Sequence, residues 1–426
     1  MQLITKNLIL IDLPKILIIL LPGFLITGPF LADLSISITA IFFLIYCVLE
    51  KNYKYFNNFL FKIIFIFYLW ILICSLFSEN IIFSLSTSFF YIRFLIFSLA
   101  LFFFLENDHK LLKKIFFSIS FFFVILIFDS IFQYFTNYNI LGLPASEDGR
   151  ISSFFGKELI LGSYFSRLLP FFLALYFMNI NFLERNKILN YLSSAIILLA
   201  VFCIFISAER TSVLFFFISF FFLFITLSKK RLIILIAIFV MFSSFFISFI
   251  YKNKTYVRLV NHTVSQFETI KVEEKFNVLN YIPTTHQDHY NAALNMFYHN
   301  KLTGIGPKAF RIECKKIEFS SGPSSCSTHP HNTYLQLLAE TGLIGFLIII
   351  PFFFIIIFYF IKHLLLKMRH KILFSDPQLC LFSMVFITLW PLAPSGNFFG
   401  NWLNVIYYLP VGFIIYSFKA KNSLKF

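Results

Sequence analysis

The sequence predicts an all-α membrane protein with about twelve transmembrane helices and one large, mostly helical loop between the ninth and tenth spans. Composition is the first reason: hydrophobic residues make up 59% of the 426 residues, and Asp, Glu, Lys and Arg together make up 13%. Soluble globular proteins carry about 25% of these charged residues. In addition, the apolar residues form long uninterrupted runs, and a more polar segment, residues 252–332, separates them late in the chain.

Each span requires about 20 mostly apolar residues, and twelve runs approach that length. They lie near residues 8–31, 34–50, 59–78, 86–105, 114–135, 153–180, 188–207, 211–228, 232–251, 333–361, 377–395 and 402–418. The first run has no small-residue cleavage site, so we expect it to remain as a membrane anchor. An even number of spans places both termini on the same side.

Positive charge predicts which side each loop occupies. Lys and Arg recur in the segments on the side of the N-terminus, for example at Lys113, Arg185 and Lys230, whereas the short loops opposite carry Arg150 and Arg210. Because cytoplasmic loops are enriched in Lys and Arg, we expect cytoplasmic termini and an external segment 252–332. This distribution accounts for the net charge of +15 without a nucleic-acid partner.

The chain is therefore divided into spans one to nine (residues 1–251), the large loop (252–332) and spans ten to twelve (333–426). The loop contains six of the nine histidines, His262, His286, His289, His299, His329 and His331. Its run HYNAALNMFYHN (289–300) has apolar residues on one helical face, namely Ala292, Ala293, Met296 and Phe297.

Cysteines fall into two groups. Four lie in predicted spans, where we expect plain buried residues: Cys47, Cys74, Cys203 and Cys380. Cys314 and Cys326 both lie in the loop, and an oxidising compartment would permit a disulfide between them. A zinc site built from Cys and His is the alternative, although the sequence has no Cys-x-x-Cys pair.

The stretch HPHNTYLQLLAETGLIG (329–345) joins the loop to the tenth span. Thr328 or Asn332 is placed to cap that helix. A histidine titrates near pH 6.5, so His331, with His329 beside it, is a candidate to take a proton from a hydroxyl group. The alternative is that both histidines are interfacial polar residues without a chemical role.

SAERTSVL (207–214) forms a very short connection that carries Arg210. A guanidinium group binds phosphate oxygens in a fork, so Arg210 is a candidate phosphate ligand, or else an arginine that anchors a helix end. Other ionisable residues lie in or beside spans, and we expect some to line a polar cavity: Arg93, Asp129, Lys157, Glu158 and Arg167.

Several motifs are absent from the sequence. It contains no P-loop, no Gly-x-Ser-x-Gly elbow and no Asp-x-Asp pair. These absences favour a reaction that needs no metal and uses a donor already activated on a lipid.

These stretches resemble the O-antigen ligase and polymerase superfamily of bacterial envelope glycosyltransferases. The ligase pattern His-(Asn/Ser/Gln)-x9-Gly-x-x-Gly is matched at His331, Asn332, Gly342 and Gly345. The shorter Arg-x3-Leu pattern is matched at Arg210 and Leu214. LTGIGPKAF resembles the family's Gly-x-Gly-x4-Phe turn, with one residue fewer in the spacer, through Gly304, Gly306 and Phe310.

One departure concerns the family's usual loop arginine before the Ala-Ala-Leu helix. His286 occupies that place, so Arg311 is a candidate for the second positive charge. The 149–165 stretch resembles the family's Arg-x-Ser-Gly-x-Phe segment, which begins here at Arg150. Gly342 and Gly345, one turn apart, suit close packing between helices.

The resemblance implies transfer of a glycan from undecaprenyl diphosphate to a sugar hydroxyl of lipid A–core, with inversion and without a cofactor or metal. It places the protein in the bacterial inner membrane, with a periplasmic loop. His331 would be the general base, and Arg210, with Arg311 or Arg150, would contact the departing diphosphate. His286, His329 and Asn332 would be further substrate contacts, and the four glycines would be structural.

Three alternatives stay open. The first is a polymerase of the same superfamily, whose acceptor is another carrier-linked glycan. The second is a transporter or flippase of lipid-linked glycans, for which repeat symmetry or a charged central path would be expected. The third is a relative that transfers to a Ser or Thr of pilin.

Overall fold

A computed structural model describes residues 8–268 and 284–423, and within these ranges the chain is helical without a β-strand. The longer helices, in chain order, are α1 (Leu13–Phe24), α2 (Pro29–Leu49), α3 (Phe59–Leu76), α4 (Ile81–Asn107), α5 (Lys110–Thr136), α6 (Leu161–Met178), α7 (Lys187–Ile206), α8 (Arg210–Thr226), α9 (Arg231–Tyr251), α10 (Thr284–His299), α11 (Thr333–Met368), α12 (Asp376–Thr388) and α13 (Asn401–Ser423).

Among the described helices, eight are long and apolar enough to cross a membrane: α2, α3, α4, α5, α6, α7, α9 and α11. Helices α8 and α12 are apolar but shorter. The expected multi-pass helical class is therefore confirmed. Each of the twelve predicted runs coincides with a helix, whereas the number of spans, twelve, stays a prediction.

Helix α6 lies at the centre of the bundle, packed against α5, α7, α8 and α12. Its most apolar stretch has a mean hydropathy of only 1.3 and is 89% buried, whereas that of α9 has 2.8 and is 28% buried. A helix surrounded by protein can keep polar groups that lipid would exclude. The sixth helix also begins later than predicted, at Leu161, because the chain makes a short 3₁₀ turn at Ser153–Phe155 first.

The large loop packs on the bundle mainly through α10, which contacts α11. The predicted apolar face of α10 is buried at Ala292, Ala293 and Met296. These side chains pack against Phe310, from the short helix Phe310–Glu313. We call the end of the bundle that carries the described parts of residues 252–332 the loop end.

Helix α11 is broken near its start, which the sequence did not predict. Gly342 has φ 66° and ψ −171°, so its backbone is not helical. The break exposes backbone groups that the glycine turn of the loop satisfies: the Ile305 amide donates to the Ala339 carbonyl oxygen (2.9 Å), and the Gly306 amide to that of Glu340 (3.1 Å). The first turns of the predicted tenth span therefore form a separate helical segment at the loop end.

Candidate active site at the loop end

Four histidines meet at the loop end. The His331 ring lies 4.2 Å from the His329 ring, 5.3 Å from that of His289 and 5.6 Å from that of His286, between centroids. His286 and His289 come from α10, whereas His329 and His331 come from the segment before α11. The packing of α10 on α11 therefore assembles the cluster, which we call the histidine cluster.

The connection between α12 and α13 anchors the two histidines nearest α11. The Ser395 amide donates to the His331 carbonyl oxygen at 2.9 Å, and His329 Nε2 lies 3.0 Å from the Ser395 carbonyl oxygen. Because a carbonyl oxygen only accepts, Nε2 of His329 carries the proton. Nδ1 of the neutral ring then accepts from the Thr328 hydroxyl at 2.9 Å.

The His331 ring is less engaged than that of His329. Among the described residues none hydrogen-bonds to its imidazole, whereas both nitrogens of His329 are engaged. Its backbone has φ 56°, a left-handed conformation that a non-glycine residue rarely adopts. Such conformations persist where the surroundings hold them, often at functional sites.

Burial keeps His331 and His329 neutral. It lowers the pKa of His331 to about 3, and the charges of His329, His286 and His289 add to this effect. It likewise lowers the pKa of His329 to about 4. A neutral imidazole is the form that accepts a proton from a hydroxyl group.

Asn332 caps α11, one of the two residues expected to do so. Its side-chain oxygen accepts from the amides of Tyr334 (3.0 Å) and Leu335 (3.1 Å). Its amide nitrogen donates to the Pro391 carbonyl oxygen at 2.8 Å. Asn332 therefore ties the helix start to the same connection that holds the neighbouring histidines.

Three arginines lie beside the histidine cluster, and we call them the arginine cluster: Arg150, Arg210 and Arg258. Asp148 Oδ2 lies 3.0 Å from Nε of Arg150 and 3.6 Å from Nε of Arg258. Both arginines act electrostatically on Arg210. Guanidinium groups bind phosphate oxygens in a fork, so the arginine cluster is a candidate anion site.

The arginine cluster faces the histidines through Arg210. The pKa of His286 is lowered by burial, then by His289 and by the charge of Arg210. A guanidinium nitrogen of Arg210 also donates to the Thr263 hydroxyl, at 3.4 Å. A phosphate bound by the arginines would therefore lie close to the histidines.

Glu209 holds the turn that presents Arg210. Its carboxylate accepts from the Gly162 amide at 2.6 Å and from the Ser163 amide at 3.0 Å, at the start of α6. It also accepts from the Ser212 hydroxyl at 2.8 Å. Carboxylates are favoured at helix N-termini, where the amides lack intrahelical partners. Glu209 therefore ties α8 to the central helix.

Arg311 acts electrostatically on His329 and on Lys308. Arg210 is influenced instead by Arg258 and Arg150. A role for Arg311 as a phosphate contact stays a prediction. The sequence analysis missed Arg258, for which the only signal was the basic run KNKTYVR (252–258).

The glycines act through backbone geometry. A Cβ on Gly342 would lie 2.0 Å from the Leu302 carbonyl oxygen, and one on Gly304 would lie 2.6 Å from that of Ala339. A Cβ on Gly306 would meet Ser84 at 2.5 Å. A Cβ on Gly345 would lie 2.1 Å from the Thr341 hydroxyl oxygen and 3.2 Å from the Trp70 ring. Gly342 thus allows the α11 break, a different role from the expected packing between helices.

Cys314 and Cys326 form a disulfide, with their Cα atoms 4.9 Å apart. The other four cysteines are buried and free. Across the described ranges, no group of three or more His, Cys, Asp or Glu is arranged to hold a metal ion.

The ionisable residues predicted near spans have different environments. Arg93 lines a polar cavity, as expected for some of them. Arg167 is buried, with its guanidinium carbon 4.8 Å from the centroid of the Phe215 ring. Asp129 is also buried, and its carboxylate accepts a hydrogen bond from the Ser153 hydroxyl. Lys157 and Glu158 are exposed.

Fold and site together define a multi-pass helical membrane protein with a histidine cluster and a group of arginines at one end. Residues 195–350 match the family model described as O-Antigen ligase, and this match supports a relation to the O-antigen ligase superfamily of membrane glycosyltransferase-type enzymes. The matched range includes Arg210, Arg258 and the histidine cluster. A search of the curated proteins found no match to the chain.

Proposed function

We propose that the protein is an O-antigen-ligase-like glycosyltransferase that moves a glycan from undecaprenyl diphosphate to a sugar hydroxyl of lipid A–core. The loop end would face the periplasm of the bacterial inner membrane, with both termini in the cytoplasm. One observation carries the proposal: His331, a neutral histidine with an unengaged ring, belongs to a cluster on which Arg210 acts, and both residues lie within the range that matches the family.

In the proposed reaction, the acceptor hydroxyl oxygen attacks the anomeric carbon of the donor glycan. The bond between that carbon and the diphosphate oxygen breaks, and its electron pair leaves with undecaprenyl diphosphate. His331 takes the hydroxyl proton. Because attack and departure occur on opposite faces of the carbon, the anomeric configuration inverts.

The arginine cluster would stabilise the leaving group. Negative charge grows on the bridging oxygen as the bond breaks, and fixed cationic donors are most useful where charge develops. Arg210 is closest to the histidines, and Arg258 and Arg150 add charge behind it. One such contact is worth about 3 kcal/mol of barrier.

The donor would also prepare the base. A pKa of about 3 makes His331 neutral but weakly basic in the empty site. Bound diphosphate brings negative charge near the ring, and a nearby opposite charge favours the protonated form. The basicity of His331 would therefore rise when the donor is present.

The proposal is tested with lipopolysaccharide gels from cells that lack the gene, complemented with wild type or with His331→Ala. We expect bare core and accumulated carrier-linked glycan in the deletion strain and in the variant. His262→Gln, at an exposed loop histidine, is the control and should restore the wild-type ladder.

The other outcomes separate the alternatives. Core capped by a single repeat would indicate a polymerase. An unchanged ladder in the deletion strain would remove both glycan-transfer readings. Pilin glycosylation and glycan transport would then be measured in that strain.

A further inference from the structure

A polar cavity of about 340 Å³ lies at the loop end, between α2, α4, the glycine turn of the loop and the start of α13. Its volume is within the range of small-molecule sites, roughly 300–1,000 Å³. Asp33, Arg93, Lys308 and Asn401 line it, together with the hydroxyls of Ser86 and Thr87. None of these residues belongs to the histidine or arginine cluster.

Two of the charges in the cavity neutralise each other. Arg93 Nε donates to Asp33 Oδ1 at 2.7 Å, and another of its nitrogens donates to Asn401 Oδ1 at 3.3 Å. The Asn401 amide nitrogen donates to Asp33 Oδ2 at 3.2 Å. This closed network holds the cavity wall in one geometry.

Lys308 adds a second cation to the cavity. Among the described residues no carboxylate forms an ion pair with its ammonium group. Burial lowers the pKa of Lys308, as does the charge of Arg311, whereas the more distant carboxylates of Glu340 and Asp33 act in the opposite direction. A half-buried cation is costly unless an anion neutralises it, so this wall is prepared for a negatively charged ligand.

Lys308 is held in place by the fold. The preceding turn is fixed to α4 because the Ser84 hydroxyl donates to the Pro307 carbonyl oxygen at 2.8 Å. On the other side, the Phe310 amide donates to the buried Glu340 carboxylate at 3.0 Å. Lys308 itself has φ 63°, a left-handed conformation. The backbone that carries the Lys308 ammonium group is therefore anchored on both sides.

Aromatic rings form the rest of the wall: Phe90, Tyr91, Phe94 and Phe399. The C–H faces of a sugar ring pack on aromatic rings, and its hydroxyls pair with Ser, Thr and Asn side chains. The additional cation selects a sugar with a negatively charged substituent, because charge-assisted hydrogen bonds are the stronger ones.

The chain from Ser395 to Asn401 connects the cavity to the histidine cluster, because Ser395 contacts His329, and Phe399 and Asn401 line the cavity. Arg311 acts electrostatically on both Lys308 and His329, whereas Arg210 acts on His286. An acceptor bound in the cavity would therefore lie near the connection that anchors His329 and His331.

We propose that the cavity formed by Asp33, Arg93, Lys308 and Asn401 binds an anionic sugar of the acceptor, one that carries a carboxylate or a phosphate. The proposal rests on the proposed function in one respect, namely that the bound saccharide is the acceptor of the transfer. The predicted recognition of an anionic saccharide can be measured without any transfer reaction.

The test uses the full chain in nanodiscs and the core oligosaccharide released from cells that lack the gene. Binding is compared for the native oligosaccharide, a carboxyl-reduced form and a dephosphorylated form. We expect Lys308→Met to weaken binding of the native form about tenfold or more. Lys308→Arg should retain most of it, which shows that the fold is intact. Lys315→Met, at an exposed loop lysine, is the matched control.

Each outcome decides the proposal. Weaker binding after carboxyl reduction identifies a carboxylate as the anion, and weaker binding after dephosphorylation identifies a phosphate. No binding to wild type, equal binding by wild type and Lys308→Met, or no effect of either modification overturns it. Because binding is measured without transfer, a failed ligase assay and a failed binding assay are distinguishable.

Discussion

The rings of His329 and His331 lie 4.2 Å apart, between centroids, and they differ in what they can still bind. His329 is engaged at both nitrogens, by the Ser395 carbonyl oxygen and the Thr328 hydroxyl. His331 has no hydrogen-bond partner for its ring among the described residues. His329 is therefore anchored, whereas His331 is the proposed base.

Replacement of His331 tests this division. We expect His331→Gln to lower the transfer rate about 10²- to 10⁴-fold, because a general base is lost. His329→Gln should lower it less, since that ring serves to position its neighbour. The rates are measured with purified protein, donor and acceptor. Equal losses for both variants would contradict the assignment.

Arg258 is predicted to act with Arg210. Arg258→Met should reduce turnover about 10- to 100-fold and Arg210→Met about 10²- to 10³-fold, because Arg210 stands closer to the histidines. Arg185→Met, an exposed arginine at the opposite end of the bundle, is the control and should have no effect. Normal turnover by Arg258→Met would remove this residue from the site.

Glu209 is predicted to position Arg210. Glu209→Ala leaves the Gly162 and Ser163 amides without their acceptor, which should cost about 1–2 kcal/mol of stability. The KM for the donor should rise more than the KM for the acceptor, because the displaced residue is a phosphate ligand. A lower thermal midpoint with both KM values unchanged would show a purely structural role.

Gly342 is predicted to be irreplaceable. Gly342→Ala puts a Cβ 2.0 Å from the Leu302 carbonyl oxygen at a φ of 66°, so we expect a loss of more than about 2 kcal/mol. Gly396→Ala, whose Cβ would have its nearest neighbour at 3.7 Å, is the matched control. Thermal midpoints in detergent measure both. Similar midpoints would contradict the break in α11.

Acid should destabilise the protein through the buried histidines. The pKa of His329 is about 4 in the folded state, against about 6.5 in the unfolded chain. Between these values the unfolded chain binds more protons, so stability falls as the pH falls. For His329 the loss at pH 5 is on the order of 2 kcal/mol.

The check compares thermal midpoints at pH 7 and pH 5. His329→Gln cannot titrate there, so its midpoint should fall less than that of wild type. His262→Gln, at an exposed site, should follow wild type. Parallel curves for all three proteins would show that His329 is not the group that senses acid.

Local patterns marked several residues that the structure places at the loop end. The pattern shared with O-antigen ligases marked His331 and Asn332 through their spacing to Gly342, and the short connection between spans marked Arg210. Ionisable residues beside apolar runs usually face a bundle interior or a watery cavity. The apolar face of α10 followed from helical periodicity in the same way.

Long-range relationships were not visible in the sequence. Arg258 joins Arg210 and Arg150 through the shared carboxylate of Asp148, and Ser395 holds His329 and His331 from a connection more than sixty residues away. No local hydrophobic periodicity predicts such pairings, because they depend on how distant segments of the chain pack together.

By itself, the sequence determined the helical membrane class, the apolar runs that become helices and the residues able to do the chemistry, because composition and period follow from burial in lipid. Only the tertiary structure decided which charges meet, where α11 breaks and which cavity lies beside the histidines. The reason is physical: these features arise from contacts between α10, α11 and the α12–α13 connection, whose energies depend on three-dimensional packing rather than on neighbours along the chain.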